Sequence, residues 1–211
     1  MSFTDAAPAD AADAVDAPPI DACATTSLFA GGMDPAAQGW SVAQSGSAEV
    51  AAPAPDVTRL QTQTVGTTGA HLLLYRAGTV APEAPFAIEV SLQVTAVARH
   101  NQFDAAVAIL GAFTPPFGTG AERQQMIYID ADGVGWADDS GRFEVAAIDG
   151  AFHTYRLAVD AAGTAIVSRD GQQVLTRADF VANGTIAVGD QSNDLNFEAT
   201  TLVRSVSLLC P

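Results

Sequence analysis

Lysine is absent from this chain of 211 residues, so all nine basic residues are arginine, and they face 24 acidic ones. The formal charge of -15 repels phosphate backbones and anionic lipid surfaces, which argues against nucleic acid and membrane-surface partners. An acidic surface suits solubility, divalent cations or neutral partners. Long apolar runs are missing too, and with them any stretch that reads as a membrane span. Cysteine occurs twice, at Cys23 and Cys210, with no CxxC or Cys/His spacing that suggests zinc or redox work. Histidine occurs three times. His71 and His100 lie far from any serine or cysteine nucleophile signature and read as surface residues. A glycosidase needs two carboxylates at a set separation. The nearest pair, Glu144 and Asp149, is interrupted by a turn and falls on opposite strand faces.

What is present divides the chain in two. Residues 1–22 read MSFTDAAPADAADAVDAPPIDA, with five aspartates and no basic residue. Asp10, Asp13 and Asp16 would stack like charges on one helical face, and Pro8, Pro18 and Pro19 interrupt any long helix. With little to bury, the segment is expected to be an extended linker. It resembles the Asp/Ala/Pro stalks that follow the lipid-anchoring cysteine of exported bacterial lipoproteins. Met1 to Ala22 lacks the basic start and apolar centre of a signal segment, so an exported chain would carry its signal outside this sequence. The remainder, 23–211, is long enough for one sizeable domain. In an exported, secreted or cell-surface protein, Cys23 and Cys210 would form a bridge fastening the domain's ends, a cross-link worth up to roughly 5 kcal/mol in the loop-entropy picture. The other reading is two buried thiols in a reducing compartment.

From Cys23 onward the hydrophobic period is two. In Phe86–Val94, Phe86, Ile88, Val90, Leu92 and Val94 share one face, and Ala87, Glu89, Ser91 and Gln93 the other. His153–Val159 repeats the pattern, with Tyr155, Leu157 and Val159 inward. Further strands are expected at 57–64, 71–76, 103–113, 124–130, 133–138, 142–148, 164–169, 172–176, 184–189 and 200–209. Between them stand turn pairs such as Asp132-Gly133, Ser140-Gly141, Asp170-Gly171 and Asn183-Gly184. Only one helical turn is expected, near Arg177 to Val181. The rhythm is that of an all-β, antiparallel β-sandwich or jelly roll of two curved sheets.

Three segments carry a more specific likeness: Phe152-His153-Thr154-Tyr155-Arg156-Leu157-Ala158-Val159, the strand 165–167 leading to Asp170-Gly171, and Thr185-Ile186-Ala187-Val188-Gly189-Asp190-Gln191-Ser192. Together they resemble the concanavalin A-like lectin/glucanase superfamily, in particular its laminin-G-like bacterial members. The resemblance implies a jelly roll that binds sugar or protein on its concave face or edge loops. The E-x-D-x-x-E strand of the superfamily's glucanases is absent, so the resemblance favours a non-catalytic module.

Candidate site residues follow from side-chain chemistry. Sugars stack on aromatic faces, which singles out Trp136 and, in the Pro115-Pro116 loop, Phe117. Trp136 also shares a face with Val134 that would equally be core. Asn101 and Arg123 flank the strands beside that loop and offer amide and guanidinium donors. Calcium is the one cofactor considered, at Asp130 and Asp132 in a D-A-D-G turn or at Asp190 and Asp194 in an oxygen-rich loop. The turn's glycine comes too early for an EF-hand, and a solvated loop is the simpler reading. His153, Tyr155 and Arg156 would suit a lyase only if all three faced one way. The expected partner is a glycan or an extracellular protein. Assembly through a sheet face or edge, and a divergent glycan hydrolase or lyase, stand as the alternatives.

Overall fold

The computed structural model describes residues 25–192 and 194–210. The acidic leader lies outside them, and so does Cys23 with its expected bridge to Cys210. The described residues form fifteen strands in two antiparallel sheets. Sheet A runs β13 (Gln172–Arg177), β12 (Ala165–Arg169), β11 (His153–Val159), β6 (Phe86–Val97), β15 (Ala199–Leu209), β4 (Val57–Gln63), β3 (Ser47–Ala54). β1 (Thr26–Ala30) pairs with the distal part of β15, beyond the stretch that β4 covers. Sheet B runs β10 (Arg142–Glu144), β9 (Gly133–Trp136), β8 (Ile127–Ile129), β7 (Ala108–Leu110), β14 (Ile186–Asp190), β5 (His71–Arg76), β2 (Ser41–Ser45). None of the described residues forms a helix long and apolar enough to cross a membrane.

The alternating strands of sheet A bury the faces their sequences foretell. Phe86, Ile88, Val90, Leu92 and Val94 of β6 point into the sandwich beside Tyr155, Leu157 and Val159 of β11. Sheet B contributes Leu72, Leu74, Ile109, Ile127, Ile129, Val134, Trp136, Ile186 and Val188 to the same core. Trp40 plugs one end, its indole N–H donating to the Leu28 carbonyl at 2.7 Å. Removing a buried aromatic of this kind costs about 3–5 kcal/mol.

Between its edge strands β10 and β2, sheet B is buried on both faces. Its outer surface carries a second apolar cluster, including Leu73, Ala108, Leu110, Phe113, Tyr128 and Ala187. The connections through residues 98–107 and 111–126 lie over it. This explains the longest disagreement with the expected strands: of 103–113, only Ala108–Leu110 pairs in the sheet, and the flanking apolar residues pack over its outside. A run buried on all sides has no alternation to mark where pairing stops. The expected turn of helix at 177–181 is irregular chain, and a five-residue helix, α1 (Gly120–Gln124), lies elsewhere, opened by a capping box between Thr119 and Glu122. β1, β2 and β3, rich in serine and alanine, were not among the expected strands.

Candidate functional site

The site grows from two glycines. In Gly133-Val134-Gly135-Trp136, Val134 and Trp136 enter the core and the glycines face outward. Tyr128, Gly135 and Arg142 stand in one row across β8, β9 and β10. A side chain at Gly135 would strike the Tyr128 ring at 2.5 Å, and one at Gly133 would strike the Arg142 guanidinium at 2.6 Å. With no side chain between them, the two large residues close over the strand, and Arg142 Nη1 donates to the Tyr128 hydroxyl at 3.1 Å.

Arg142 also gathers carboxylates: Asp130 at 2.9 Å, Asp132 at 2.5 Å and Glu144 at 2.6 Å. These hydrogen bonds, that of Glu144 foremost, hold its proton even more firmly than usual. Burial raises the Tyr128 phenol above its ordinary value despite the guanidinium beside it. The segment 98–107 then crosses over the row. The His100 ring stacks on Tyr128 with centroids 4.0 Å apart and planes within 7°. Its backbone N–H donates to Asp130 at 2.8 Å. Nδ1 lies 2.8 Å from the Asp104 carbonyl, which can only accept, so Nδ1 carries a proton. Nε2, buried and without a hydrogen bond, faces the Asp139 carboxylate at 3.3 Å. Between the segment and the sheet lies a cleft of about 220 Å³ lined by Arg99, His100, Asn101, Gln102, Tyr128 and Asp139, with Asp130 and Arg142 at its floor. That is below the roughly 300–1,000 Å³ of drug-sized pockets, and suits one sugar ring or a chain end.

The expected site residues fare differently. Asn101 lies on the exposed rim of this cleft. Arg123 is bound inward, ion-paired with Asp104 and donating to the Phe103 carbonyl at 3.2 Å, so it anchors the crossing segment to α1. Burial raises the Asp104 carboxyl, with Arg123 opposing. Phe117 packs its ring 4.2 Å from His71. Trp136 is wholly buried, its indole N–H aimed at the Thr176 carbonyl, so it is a core residue and no stacking platform. His71 is buried and His100 is half-buried with only 5% of its side chain exposed, contrary to expectation, because sheet B is covered on its outer side. Of the lyase trio, Tyr155 lies deep in the core with its phenol pushed up to about 12 by burial, while His153 is clamped between Asp149 and Asp170.

The calcium candidates do not converge. Arg142 occupies the space between Asp130 and Asp132. Asp190 turns inward, where Thr62 Oγ1 donates to it at 2.5 Å and the Ser192 N–H at 3.0 Å. Among the described residues no group of three His, Cys, Asp or Glu side chains is placed to hold a metal. EDTA is therefore expected to leave the melting temperature unchanged at neutral pH; a fall that calcium reverses would overturn this.

Tyr128 and Arg142 were not singled out from the sequence. The readable signal was G-V-G-W, where glycine occupies both outward positions of a strand and leaves room for neighbours to close over it.

No protein-family model matches the sequence, and no curated protein matches it significantly. Solved structures do resemble the fold. A conserved carbohydrate esterase from the Shiga toxin-encoding bacteriophage phi24B is 17% identical, with a TM-score of 0.57 over 88% of this chain and 98% of that one. An endo-β-1,4-glucuronan lyase from the fungus Trichoderma reesei is 14% identical, with a TM-score of 0.55 over 90% and 96%. The exoplasmic/lumenal domain of VIP36, in its Ca2+/Man-bound form, is 10% identical, with a TM-score of 0.55 over 81% and 82%. At these identities the likeness is one of fold: a lectin-like jelly roll, as the concanavalin A-like resemblance implied.

Proposed function

We propose that the chain is a carbohydrate-binding domain, and that the cleft between the 98–107 segment and the β8–β9–β10 row takes a neutral sugar residue. The observation that carries this reading is the cleft itself. It is a concave site with convergent hydrogen-bonding groups of both kinds, held rigid by the Arg142 network and the His100–Tyr128 stack. Arg99, Asn101 and Gln102 supply donors and acceptors at the rim, while the exposed Asp139 carboxylate supplies acceptors at the wall. Such groups suit sugar hydroxyls, each both donor and acceptor. An anionic sugar fits less well, since Asp130, Asp132 and Glu144 surround Arg142, Asp139 lines the cleft and the whole chain is acidic. The likeness to carbohydrate-active and lectin folds supports the same class. The binding is non-catalytic at this cleft, because Asp130 is fully engaged by Arg142 and the His100 N–H. A secreted or cell-surface location, with residues 1–22 as a tether, belongs to the same proposal.

A glycan array followed by calorimetric titration of the best ligand tests it. Asn101→Ala and Arg99→Ala alter exposed rim groups, so each is expected to weaken binding by about tenfold, as the loss of one or two good hydrogen bonds would, without moving the melting temperature. No bound glycan, or a titration that both variants leave untouched, would overturn the assignment. A second reading, self-association, is favoured by the apolar groove where both sheets end at β2 and β3, beside which Met33 is 55% and Val42 is 42% exposed. A monomeric mass at high concentration would exclude it.

A further inference from the structure

The pairing of β2 with β5 sets Ser45 directly opposite His71, and the serine hydroxyl lies 2.6 Å from Nδ1 of the ring. On the other side of β5 the register with β14 ends at the Asp190–Leu72 pair, and Gln191 is the next residue along, on the His71 side. Directly opposite residues of antiparallel strands share a face. Ser45 and His71 therefore form a pair on the outer surface of sheet B. Ser45 is half-buried, while His71 and Gln191 are 2% and 1% exposed.

Each of these buried residues keeps one polar atom without a hydrogen bond: Nε2 of His71 and Oε1 of Gln191. The two are complementary in kind, and neither bonds to the other. A neutral ring that accepts from Ser45 at Nδ1 carries its proton on Nε2, a donor, and the amide oxygen is an acceptor. The amide is oriented because its Nε2 donates to the Phe117 carbonyl at 2.8 Å. The Phe117 ring covers the imidazole from the same side. Burial holds the His71 pKa below its ordinary value and so favours the neutral ring, the form that can accept a proton. Nothing in the carbohydrate cleft uses any of these groups.

We propose that Ser45 is an activated nucleophile, with His71 as its general base, and that this pair takes acyl groups from small esters. The hydroxyl proton passes to Nδ1 as Oγ bonds to the ester carbonyl carbon. The tetrahedral intermediate collapses by breaking the carbon–alkoxide bond, and Nδ1 returns its proton to the leaving alcohol. Water then attacks the acyl-serine by the same path, giving the free acid and the serine hydroxyl.

Labelling of the full chain with a fluorophosphonate tests this, since the reagent bonds to an activated serine with loss of fluoride. The expected result is one adduct, mapped to Ser45 by peptide mass spectrometry, in the folded protein and not in urea. Ser45→Ala abolishes it. The rate is flat from about pH 7 to 9, because the base is already deprotonated, whereas an unassisted serine reacts faster as hydroxide rises. Phe117→Ala speeds labelling several-fold by uncovering the ring. Gln191→Glu puts a carboxylate on the His71 side of β5 and moves the lower edge of the plateau to higher pH. The absence of an adduct on Ser45, equal labelling of the unfolded chain, or a profile that Gln191→Glu leaves in place would each overturn the proposal.

Discussion

Replacing Asp190 with asparagine is expected to leave stability unchanged at pH 4 and to raise it markedly at pH 8. Asp190 ends β14 between the two sheets, 2% exposed, and burial pushes its pKa up to about 8, with the Asp104 charge adding to that rise and the Thr62 and Ser192 hydrogen bonds opposing it. In the unfolded chain the same group titrates near 3.9. The folded-state value is the higher one, so the folded protein keeps the proton across the window from about 4 to about 8 while the unfolded chain releases it. Stability from this group is complete below pH 4, falls as pH rises, and stops falling above about 8. The span is on the order of 5 kcal/mol, at about 1.4 kcal/mol for each pH unit between the two values. In Asp190→Asn the side-chain amide keeps an acceptor for the Ser192 N–H, turns a donor toward Thr62 Oγ1, and has no charge to gain. Urea denaturation of both proteins at pH 4, 6 and 8 checks the prediction. Parallel stability profiles for the two proteins would show that Asp190 is ionised in the folded state.

The same residue shows where reading the chain succeeds and where it stops. The strand that Asp190 closes was visible as Ile186-Ala187-Val188, and so were β4, β6, β11 and β15, because sheet A buries one face and alternation survives. Which way Asp190 points was not visible. Its partner Thr62 is 128 residues away, and only the packing of sheet on sheet brings them together. Ser45 and His71 are a similar case: nothing links them along the chain, and their contact follows from the β2–β5 register. Sheet B defeats periodicity because a covering layer buries its outer face, so His71, Phe113 and Trp136 all look alike as apolar or polar isolates. Asn101 and Asp130 stood out in the sequence because polar turn residues mark loops, although Asp130 was read there as a calcium ligand. Arg142 was missed because an arginine two residues from a glutamate on a short strand reads as ordinary surface.

Arg142→Met should be among the most damaging single changes to the site, costing about 3–5 kcal/mol. In a domain of this size that is a fall in melting temperature of roughly 10 °C. The reason is the imbalance among its partners. Asp132 and Glu144 are 71% and 72% exposed, and water replaces the guanidinium for them at little cost, as for any surface pair. Asp130 is 3% exposed and has no such recourse. Methionine fills the space over Gly133 but leaves a buried carboxylate with only the His100 N–H as partner. Three further variants separate this account from a simple loss of packing. Asp132→Ala and Glu144→Ala should each cost under about 1 kcal/mol. Adding Asp130→Asn to Arg142→Met should restore more than half of the lost stability, because the uncompensated charge is gone while the acceptor for His100 remains. If the double variant is no more stable than Arg142→Met alone, the guanidinium acts through its contact with the Tyr128 ring, and the carboxylate beneath it is reached by water after all.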